Sequence, residues 1–424
     1  MNGNLIIRNA SELVTNTGFE ARKGADMRAL TVIPDGAVVI EKGVITRVGP
    51  TEAVLEGLDL SGFEVVDASG KTVLPGFVDS HTHFVFGGYR ADEYGWRLEG
   101  VPYMDIMNRG GGIINSVRGT REATAAELTG LGLSRLDSML SLGVTTVEGK
   151  SGYGLDAETE LKQLRVMREV NGRHPVDVVT TFMGAHAVPP EYKGRGMDFI
   201  DLILSDMLPA VVEENLAEFC DVFCEKNVFS VEESRKLMQK AKEMGLKVKL
   251  HADEIVQLGG AELAAELGAT SADHLLQASD AGVAAMAEAG VVATCLPCTA
   301  FSLREHYARA RYMIDQGCAV ALATDFNPGS CFTESIPLVI ALATLYMNMT
   351  MEEVITALTL NGAAAVGRAD TVGSLEAGKR GDVVIHEFPS YRFLPYHIAM
   401  PTAETVVKNG EVVYRKQRVA PRIG

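Results

Sequence analysis

The sequence predicts a (β/α)8 TIM-like barrel joined to a small β-sandwich that both ends of the chain build. The middle of the chain alternates strand-like and helix-like segments, and eight such units over roughly 250 residues are typical of this barrel. The two ends instead contain strand-like segments separated by turns. Histidines and carboxylates follow the predicted strands of the middle part, where barrel enzymes build their active sites. Alternation alone leaves a doubly wound sheet as the alternative.

Both ends of the chain carry hairpin signals. Glu41-Lys42-Gly43 separates two valine-rich runs, as a short hairpin turn does. Near the other end Asn409-Gly410 separates two more such runs, and Asn-Gly is the strongest short hairpin signal. A further strand is expected at 382–385. We therefore predict the following domains: a composite β-sandwich at 1–68 and 377–424, and a barrel at 69–376.

The barrel elements follow from short apolar runs and from helical periodicity between them. The predicted strands are 77–81, 145–148, 176–182, 219–223, 247–251, 271–274, 291–295 and 320–324. The helical segments include 125–142, 158–170, 231–244, 259–267 and 281–289.

Charge and composition exclude several classes of function. The chain has 424 residues with a formal net charge of -16, which argues against nucleic acid or an anionic membrane as partners. An anionic substrate would therefore need a local cation. No apolar run reaches the length of a membrane span, and the first residues lack a signal peptide's pattern, so we expect a cytoplasmic protein.

Six cysteines do not form a disulfide framework in a chain of this length. Cys295-Leu296-Pro297-Cys298 and the pair Cys220 and Cys224 leave a structural zinc or redox pair as the alternative. Buried thiols of a cytosolic protein are the favoured interpretation.

His81-Thr82-His83 closes the first predicted barrel strand. Side chains two positions apart on a strand point the same way, so both imidazoles can face one metal ion at the strand's end. His251 after the fifth strand is the natural third ligand, and Asp325 after the eighth is the fourth. Such a set leaves one position open for water, whose pKa the metal would lower.

Two further groups are candidates for moving protons. Glu254 follows His251 by three residues and would take a proton from the water and return it to the leaving nitrogen. Its alternative is a solvated loop carboxylate. His274, at the end of the sixth strand, would orient the water or bind the developing oxyanion; the alternative is an indirect role. Lys150 follows the second strand rather than ending the fourth, which favours one metal ion over a pair bridged by a carbamylated lysine.

This pattern resembles the amidohydrolase superfamily, whose members combine a (β/α)8 barrel with a β-sandwich from both termini. The more specific motifs resemble the imidazolonepropionase family within it. The motifs are Leu74-Pro75-Gly76-Phe77-Val78-Asp79-Ser80-His81-Thr82-His83, Lys150-Ser151-Gly152-Tyr153-Gly154-Leu155, Gly184-Ala185-His186-Ala187-Val188-Pro189-Pro190-Glu191-Tyr192, His251-Ala252-Asp253-Glu254 and Ala323-Thr324-Asp325-Phe326-Asn327-Pro328-Gly329-Ser330.

The resemblance implies hydrolysis of 4-imidazolone-5-propanoate at a ring C–N bond to give N-formimidoyl-L-glutamate, a step of histidine degradation. It implies one divalent metal, zinc or iron, and a homodimer. It also implies metal ligands His81, His83, His251 and Asp325 and substrate contacts Arg90, Tyr153, His186, Glu254, Asn327, Gly329 and Ser330. From the roles given above, the catalytic residues are expected to be Glu254, His274 and Asp325.

The residues fit such a substrate independently. Arg90 lies just past the metal strand, and a guanidinium binds a carboxylate through two parallel hydrogen bonds. Tyr153 and His186 offer neutral donors, and the turn at 327–330 is expected to offer accessible amides. Two other functions stay open: an aromatic base deaminase of the same superfamily, of guanine or cytosine type, and a barrel that has lost its metal and serves as a scaffold.

Overall fold

The computed structural model describes residues 3–101, 105, 109 and 111–417. Two sheets organise these residues. One is a parallel sheet from the middle of the chain, and the other is a mixed sheet to which both ends contribute. The ends of the predicted β-domain, at residues 1–2 and 418–424, lie outside the described residues.

The parallel sheet contains eight strands of the described chain, paired in chain order from β6 to β13. Their bounds are β6 Phe77–Asp79, β7 Val144–Lys150, β8 Asp177–Ala185, β9 Phe219–Cys224, β10 Lys247–Ala252, β11 Ser271–His274, β12 Val292–Cys295 and β13 Val320–Leu322. Each overlaps the strand expected from an apolar run, so the predicted TIM-like barrel is confirmed.

The first and last barrel strands meet through the segments that follow them. The amide of Asp325 donates to the carbonyl of His81 at 3.0 Å, and the amide of His83 donates to the carbonyl of Phe326 at 2.9 Å. The Asp79 carboxylate, at the end of β6, also accepts from the amide of Thr324 at 2.9 Å. Barrel closure therefore joins the two segments that carry His81, His83 and Asp325.

Helices cover the outside of the barrel, and several begin with a hydrogen-bonded cap. Thr124 and Glu127 form a capping box, as do Ser230 and Glu233. The α-helices of the described residues are Thr51–Leu55, Ala91–Leu98, Ile113–Glu122, Ala125–Ser141, Ala157–Asn171, Gly196–Leu202, Leu208–Glu213, Val231–Glu243, Gly260–Leu267, Asp280–Ala289, Pro297–Leu303, Ala310–Asp315, Ile336–Tyr346, Met351–Leu358, Leu360–Ala365 and Phe393–Tyr396. A π-helical turn, Ile203–Met207, joins two of them.

The mixed sheet runs in the order β16-β15-β14-β5-β1-β2-β3, with β4 also paired to β1. Its strands are β1 Leu5–Val14, β2 Val32–Glu41, β3 Val44–Pro50, β4 Glu64–Asp67, β5 Thr72–Pro75, β14 Val383–His386, β15 Ala403–Lys408 and β16 Glu411–Arg415. One buried apolar cluster contains side chains from seven of these strands, among them Ile7, Val38, Val73 and Val383. The expected β-unit from both termini is therefore present.

The mixed sheet includes a strand that sequence reasoning had not assigned to it. β5 pairs with β1 and with β14, although it lies beyond the predicted boundary at residue 68. Only Gly76 separates β5 from the first barrel strand. At this first crossing the two sheets are thus joined by a single residue, whereas residues 323–382 form the return connection from β13 to β14. The domain boundaries themselves stay a prediction.

No helix among the described residues combines the length and the apolar character that crossing a membrane requires. All six cysteines are buried and free of disulfides. Cysteine does not occur in the clusters of potential metal ligands found in the described part of the chain. The structure therefore favours buried thiols over a zinc or redox pair.

Candidate metal centre and active site

Three histidines meet at the carboxyl end of the barrel. His81, His83 and His251 are buried, and one ring nitrogen of each lies within 4.8 Å of the others. The Nε2 atoms of His83 and His251 are 3.4 Å apart. Asp325 completes the group, since its Oδ1 lies 3.5 Å from Nε2 of His81 and 4.0 Å from Nε2 of His83.

Carboxylates behind this group determine which ring nitrogens face the centre. Asp273 Oδ2 lies 2.6 Å from Nδ1 of His81, and Asp221 Oδ2 lies 3.0 Å from Nδ1 of His251. Nδ1 of His81 donates its proton to Asp273, so the Nε2 lone pair of His81 points inward, and the nearby Asp221 carboxylate favours the same orientation of the His251 ring. Burial lowers the pKa of His81 and His251 well below the usual value, and both rings are neutral.

The four side chains fit one metal ion. Nε2 of His81 is buried and has no hydrogen-bond partner among the described residues. The Nε2 atoms of His83 and His251 face each other at 3.4 Å, and burial raises the pKa of Asp325 to about 7. A divalent cation between them would take up the unpaired nitrogen of His81 and compensate the buried carboxylate, because it accepts lone pairs and carries positive charge. Three imidazole nitrogens and one carboxylate oxygen suit zinc or a similar transition metal.

A layer of buried charges lies beneath the three histidines, and sequence reasoning missed most of it. Nζ of Lys150 lies 2.6 Å from Oδ2 of Asp221 and 3.0 Å from Oε2 of Glu148. Nζ of Lys249 lies 2.7 Å from the same Glu148 oxygen. With Asp273, 3.5 Å from Lys150, these five residues form what we call the buried charge layer.

The buried charge layer keeps Lys150 charged. Burial alone would lower the pKa of Lys150, but Asp221 and Glu148 outweigh it and raise that pKa above its usual value. An ammonium engaged by two carboxylates is not the neutral amine that carbamylation needs. The layer also fixes Asp221 and Asp273, which in turn orient His251 and His81.

Replacing Asp273 by asparagine tests this arrangement. We expect Asp273→Asn to weaken metal binding by roughly 10- to 100-fold, because His81 loses the carboxylate that orients its ring. Competition against a chelator of known affinity measures the effect. Asp137→Asn is the matched control, because Asp137 lies outside the site, where its Oδ1 is 3.2 Å from Nε2 of His174. Equal metal affinity in the two variants would contradict the orienting role of Asp273.

Glu254 and His274 lie beside the four candidate ligands. Both line the cavity above these residues, and Nδ1 of His274 lies 3.6 Å from Oε1 of Glu254. Burial, with Asp325 and Glu225 adding to it, raises the pKa of Glu254 to about 8. Burial lowers the pKa of His274 to about 4, so its ring is neutral. A carboxyl group that titrates near neutrality is suited to both accepting and returning a proton.

The loop that carries Glu254 is held by its neighbour Asp253. The Asp253 carboxylate accepts hydrogen bonds from four consecutive amides at 258–261, at 2.7 to 3.1 Å. Asp253, His274 and Asp325 all have positive φ, at 50°, 75° and 55°. Residues with side chains in this region are strained, and such strain concentrates at active sites. The backbone is therefore bent at three strand ends around the same centre.

The cavity extends from the metal ligands toward Arg90 and has a volume of about 290 Å³. Tyr153 and His186 line one wall, where the His186 ring stacks on His83 with centroids 4.7 Å apart. Nδ1 of His186 donates to the carbonyl of Gly152 at 3.1 Å, and burial lowers the pKa of His186 to about 4. The free nitrogen of this neutral ring is therefore an acceptor. The expectation that His186 offers a donor is wrong.

The turn at 327–330 lines the other end of the cavity. Oδ1 of Asn327 accepts from the amides of Gly329 and Ser330, both at 2.8 Å. The expected accessible amides are thus occupied by the Asn327 side chain, which is a correction. Gly329 has another reason to be glycine, because a Cβ there would lie 2.1 Å from Nη1 of Arg90.

The structure brings together every residue that the sequence nominated for the site. The cavity is lined by His83, Arg90, Tyr153, His186, His251, Glu254, His274, Asp325, Asn327, Gly329 and Ser330. His81 lies directly behind, in ring contact with His251 at 4.5 Å. Their individual roles stay predictions.

Comparison with known proteins gives concordant results. The profile of the amidohydrolase family matches residues 72–414. The chain is 64% identical over 414 residues to the imidazolonepropionase of Clostridium tetani, covering 98% of this chain and 99% of that one. It is 59% identical over 411 residues to the imidazolonepropionase of Parabacteroides distasonis, covering 97% and 99%.

Solved structures agree in fold. An adenosine deaminase from Xanthomonas campestris with bound zinc superposes with a TM-score of 0.67 at 20% identity, covering 96% of this chain and 92% of that one. At that identity the likeness concerns the fold alone. The high identity to the bacterial relatives over nearly the whole length is stronger evidence, because it identifies the family and not only the fold. The chain therefore belongs to the amidohydrolase family and, within it, to the imidazolonepropionase family.

Proposed function

We propose that this protein hydrolyses the cyclic amide C–N bond of 4-imidazolone-5-propanoate to give N-formimidoyl-L-glutamate, in histidine degradation. The observation that carries the proposal is one cavity with a His/His/His/Asp cluster at one end and a guanidinium at the other. The first end suits amide hydrolysis, and the second suits a carboxylate tail. The names of the relatives with 64% and 59% identity support the same substrate.

We propose His81, His83, His251 and Asp325 as the ligands of a single zinc or iron ion. When bound, the ion would lower the pKa of a water molecule and polarise the substrate carbonyl. The charged state of Lys150 supports one ion rather than two.

Glu254 is proposed to move the proton. Its carboxylate takes a proton as water attacks the ring carbonyl, and returns it to the ring nitrogen as the C–N bond breaks. His274, neutral and without a hydrogen-bond partner for either ring nitrogen among the described residues, has a free N–H for the developing oxyanion. The Tyr153 hydroxyl donates a hydrogen bond to the substrate, and the free ring nitrogen of His186 accepts one from an N–H of the substrate ring.

Arg90 is proposed to hold the propionate. Its Nε and Nη2 atoms both lie 2.9 Å from Oε2 of Glu93, which fixes the guanidinium against the cavity wall. We expect Arg90→Ala to raise KM by roughly 10-fold or more with a smaller change in kcat, because the carboxylate is held equally in ground and transition states. Steady-state kinetics measure this. An unchanged KM would mean that the carboxylate is bound elsewhere.

Turnover assays test the proposed function. Loss of the imidazolone absorbance without release of ammonia supports hydrolysis of the cyclic amide. Release of ammonia from guanine or cytosine, with no turnover of the imidazolone, would replace the proposal with the deaminase alternative. A protein that binds no zinc or iron and stays inactive after both are supplied would instead support a scaffold.

We further propose a cytoplasmic homodimer without nucleic-acid or membrane partners. The formal net charge of -16 supports the absence of polyanionic partners. Exposed apolar side chains such as Leu345 and Tyr346, about 60% exposed, support self-association.

A further inference from the structure

We infer that Arg97 is a second cation of the substrate's carboxylate subsite and that it acts together with Arg90 in selecting an anionic tail. The inference rests on the proposed function and adds a specificity-determining residue to it. Arg97 lies in the helix Ala91–Leu98, seven positions after Arg90, and therefore on the same helical face. Both side chains line the cavity that leads to the metal ligands.

Among the residues that the structure describes, the side-chain charges at this end of the cavity do not balance. Glu93 is the acidic residue of the cavity wall at this end, and its carboxylate is fully used. Oε2 of Glu93 accepts from Nε of Arg90 and from the amide of Gly112, both at 2.9 Å. Oε1 accepts from Nδ2 of Asn115, also at 2.9 Å. The Glu93 carboxylate thus compensates Arg90, and no carboxylate of the described residues pairs with the Arg97 guanidinium.

Arg97 carries the unbalanced charge. Among the residues that the structure describes, it forms no ion pair with a carboxylate, and its guanidinium lies 5.3 Å from the centre of the Tyr94 ring. Burial and the like charge of Arg90 lower its pKa. A partly buried guanidinium beside another one is a site for an anion, because the anion compensates both.

Arg90 alone is a weak receptor for a carboxylate. The edge formed by its Nε and Nη2 atoms faces Glu93, and Nη1 is packed against Gly329. The side edge of the Arg90 guanidinium is therefore occupied, and Arg90 offers the propionate only the remaining N–H groups of Nη1 and Nη2. Arg97, two turns further along the helix, supplies a second set of donors. Because the whole chain is acidic, this local positive charge also favours the approach of an anionic substrate.

Binding of two unreactive ligands to the zinc-loaded protein tests the inference. The ligands are imidazole-4-propanoate and its uncharged amide, measured by isothermal titration. We expect Arg97→Ala to weaken binding of the acid by roughly 5- to 30-fold and binding of the amide by less than about 2-fold. Arg97→Lys keeps the positive charge but loses the paired donors of the guanidinium. Its affinity for the acid should lie between those of the parent protein and Arg97→Ala.

Arg304 offers the matched control. It is an exposed arginine that lines a smaller cavity beside Arg97 and Tyr94, and it does not line the main cavity. Arg304→Ala should leave both affinities within about 2-fold of the parent protein. The inference is overturned if Arg97→Ala leaves the acid unaffected, if it weakens both ligands equally, or if the parent protein does not prefer the acid to the amide.

The proposed function and this inference can fail separately. Turnover of 4-imidazolone-5-propanoate by the parent protein, with no effect of Arg97→Ala on binding of the acid, removes only Arg97 from the subsite. Conversely, a protein inactive on the imidazolone that shows the Arg97-dependent preference for the acid keeps the anion subsite and loses the proposed reaction.

Discussion

Glu254→Gln is expected to lower kcat by roughly 10²-fold or more while the metal content stays the same. The amide has the shape of the carboxylate but can neither accept nor return the proton. Glu254 lies 3.6 Å from His274, beside the four proposed ligands and not among them. Elemental analysis and steady-state kinetics on the same preparations separate the two effects. Near-normal turnover would remove Glu254 from proton transfer.

The pH dependence of the rate gives a second readout for Glu254. Burial raises its pKa to about 8, and the group accepts a proton only as the carboxylate. The rate should therefore rise with pH as the carboxyl group ionises and fall as pH drops through its pKa. A bound cation nearby lowers that pKa and moves this acidic limb toward lower pH. The limb should vanish in Glu254→Gln.

Glu225→Gln is the matched control for this experiment. Glu225 is a buried carboxylate that accepts from the amide of Ile255 at 2.8 Å, and it does not line the cavity. Its replacement alters the same loop without removing the proposed proton carrier, so the acidic limb should persist. Loss of the limb in both variants would assign it to the loop rather than to Glu254.

The barrel and its ligands were predictable because each depends on a short local pattern. Strands such as β6 and β13 are short, mostly apolar runs that polar residues soon follow, and a parallel barrel brings all such ends to one edge. His81 and His83 share a strand face by the period of two. Knowing the fold class was therefore enough to expect His251 and Asp325 beside them.

The buried charge layer was not predictable in the same way. Asp221 and Lys249 lie inside β9 and β10, where a single charged residue usually marks a strand face exposed to solvent. Only barrel closure brings Lys249 to Glu148, which lies 101 positions earlier in the chain. The available signal was a set of charged residues alternating with apolar ones in several consecutive barrel strands.

The two corrected predictions share a physical cause. The predictions for His186 and for the amides of Gly329 and Ser330 considered only the hydrogen bonds that these groups can form with a ligand. The backbone carbonyl of Gly152 and the side chain of Asn327 compete for the same groups, and local partners win because they need little ordering. The sequence shows which polar groups a site contains, whereas hydrogen bonds within local turns determine which of those groups remain free to bind a ligand.

His251→Ala is expected to abolish tight metal binding and to lower kcat/KM by roughly 10³-fold or more. It removes one of the four proposed ligands. It also removes the ring that lies 3.0 Å from Oδ2 of Asp221, and that oxygen keeps its contact with Nζ of Lys150. Three groups cannot hold the ion as firmly, and the water it would activate loses its position. Elemental analysis after dialysis measures the loss.

Thermal unfolding with and without added zinc distinguishes a lost metal site from a damaged fold. A ligand present at 100 times its Kd stabilises a folded protein by about 2.7 kcal/mol, so zinc should raise the Tm of the metal-free parent protein. His251→Ala should fold and show little of this shift. His174→Ala, which removes another mostly buried histidine paired with an aspartate, should be less stable yet keep the full shift. A full zinc-induced shift in His251→Ala would exclude His251 from the metal site, because removal of a true ligand must weaken binding of the ion.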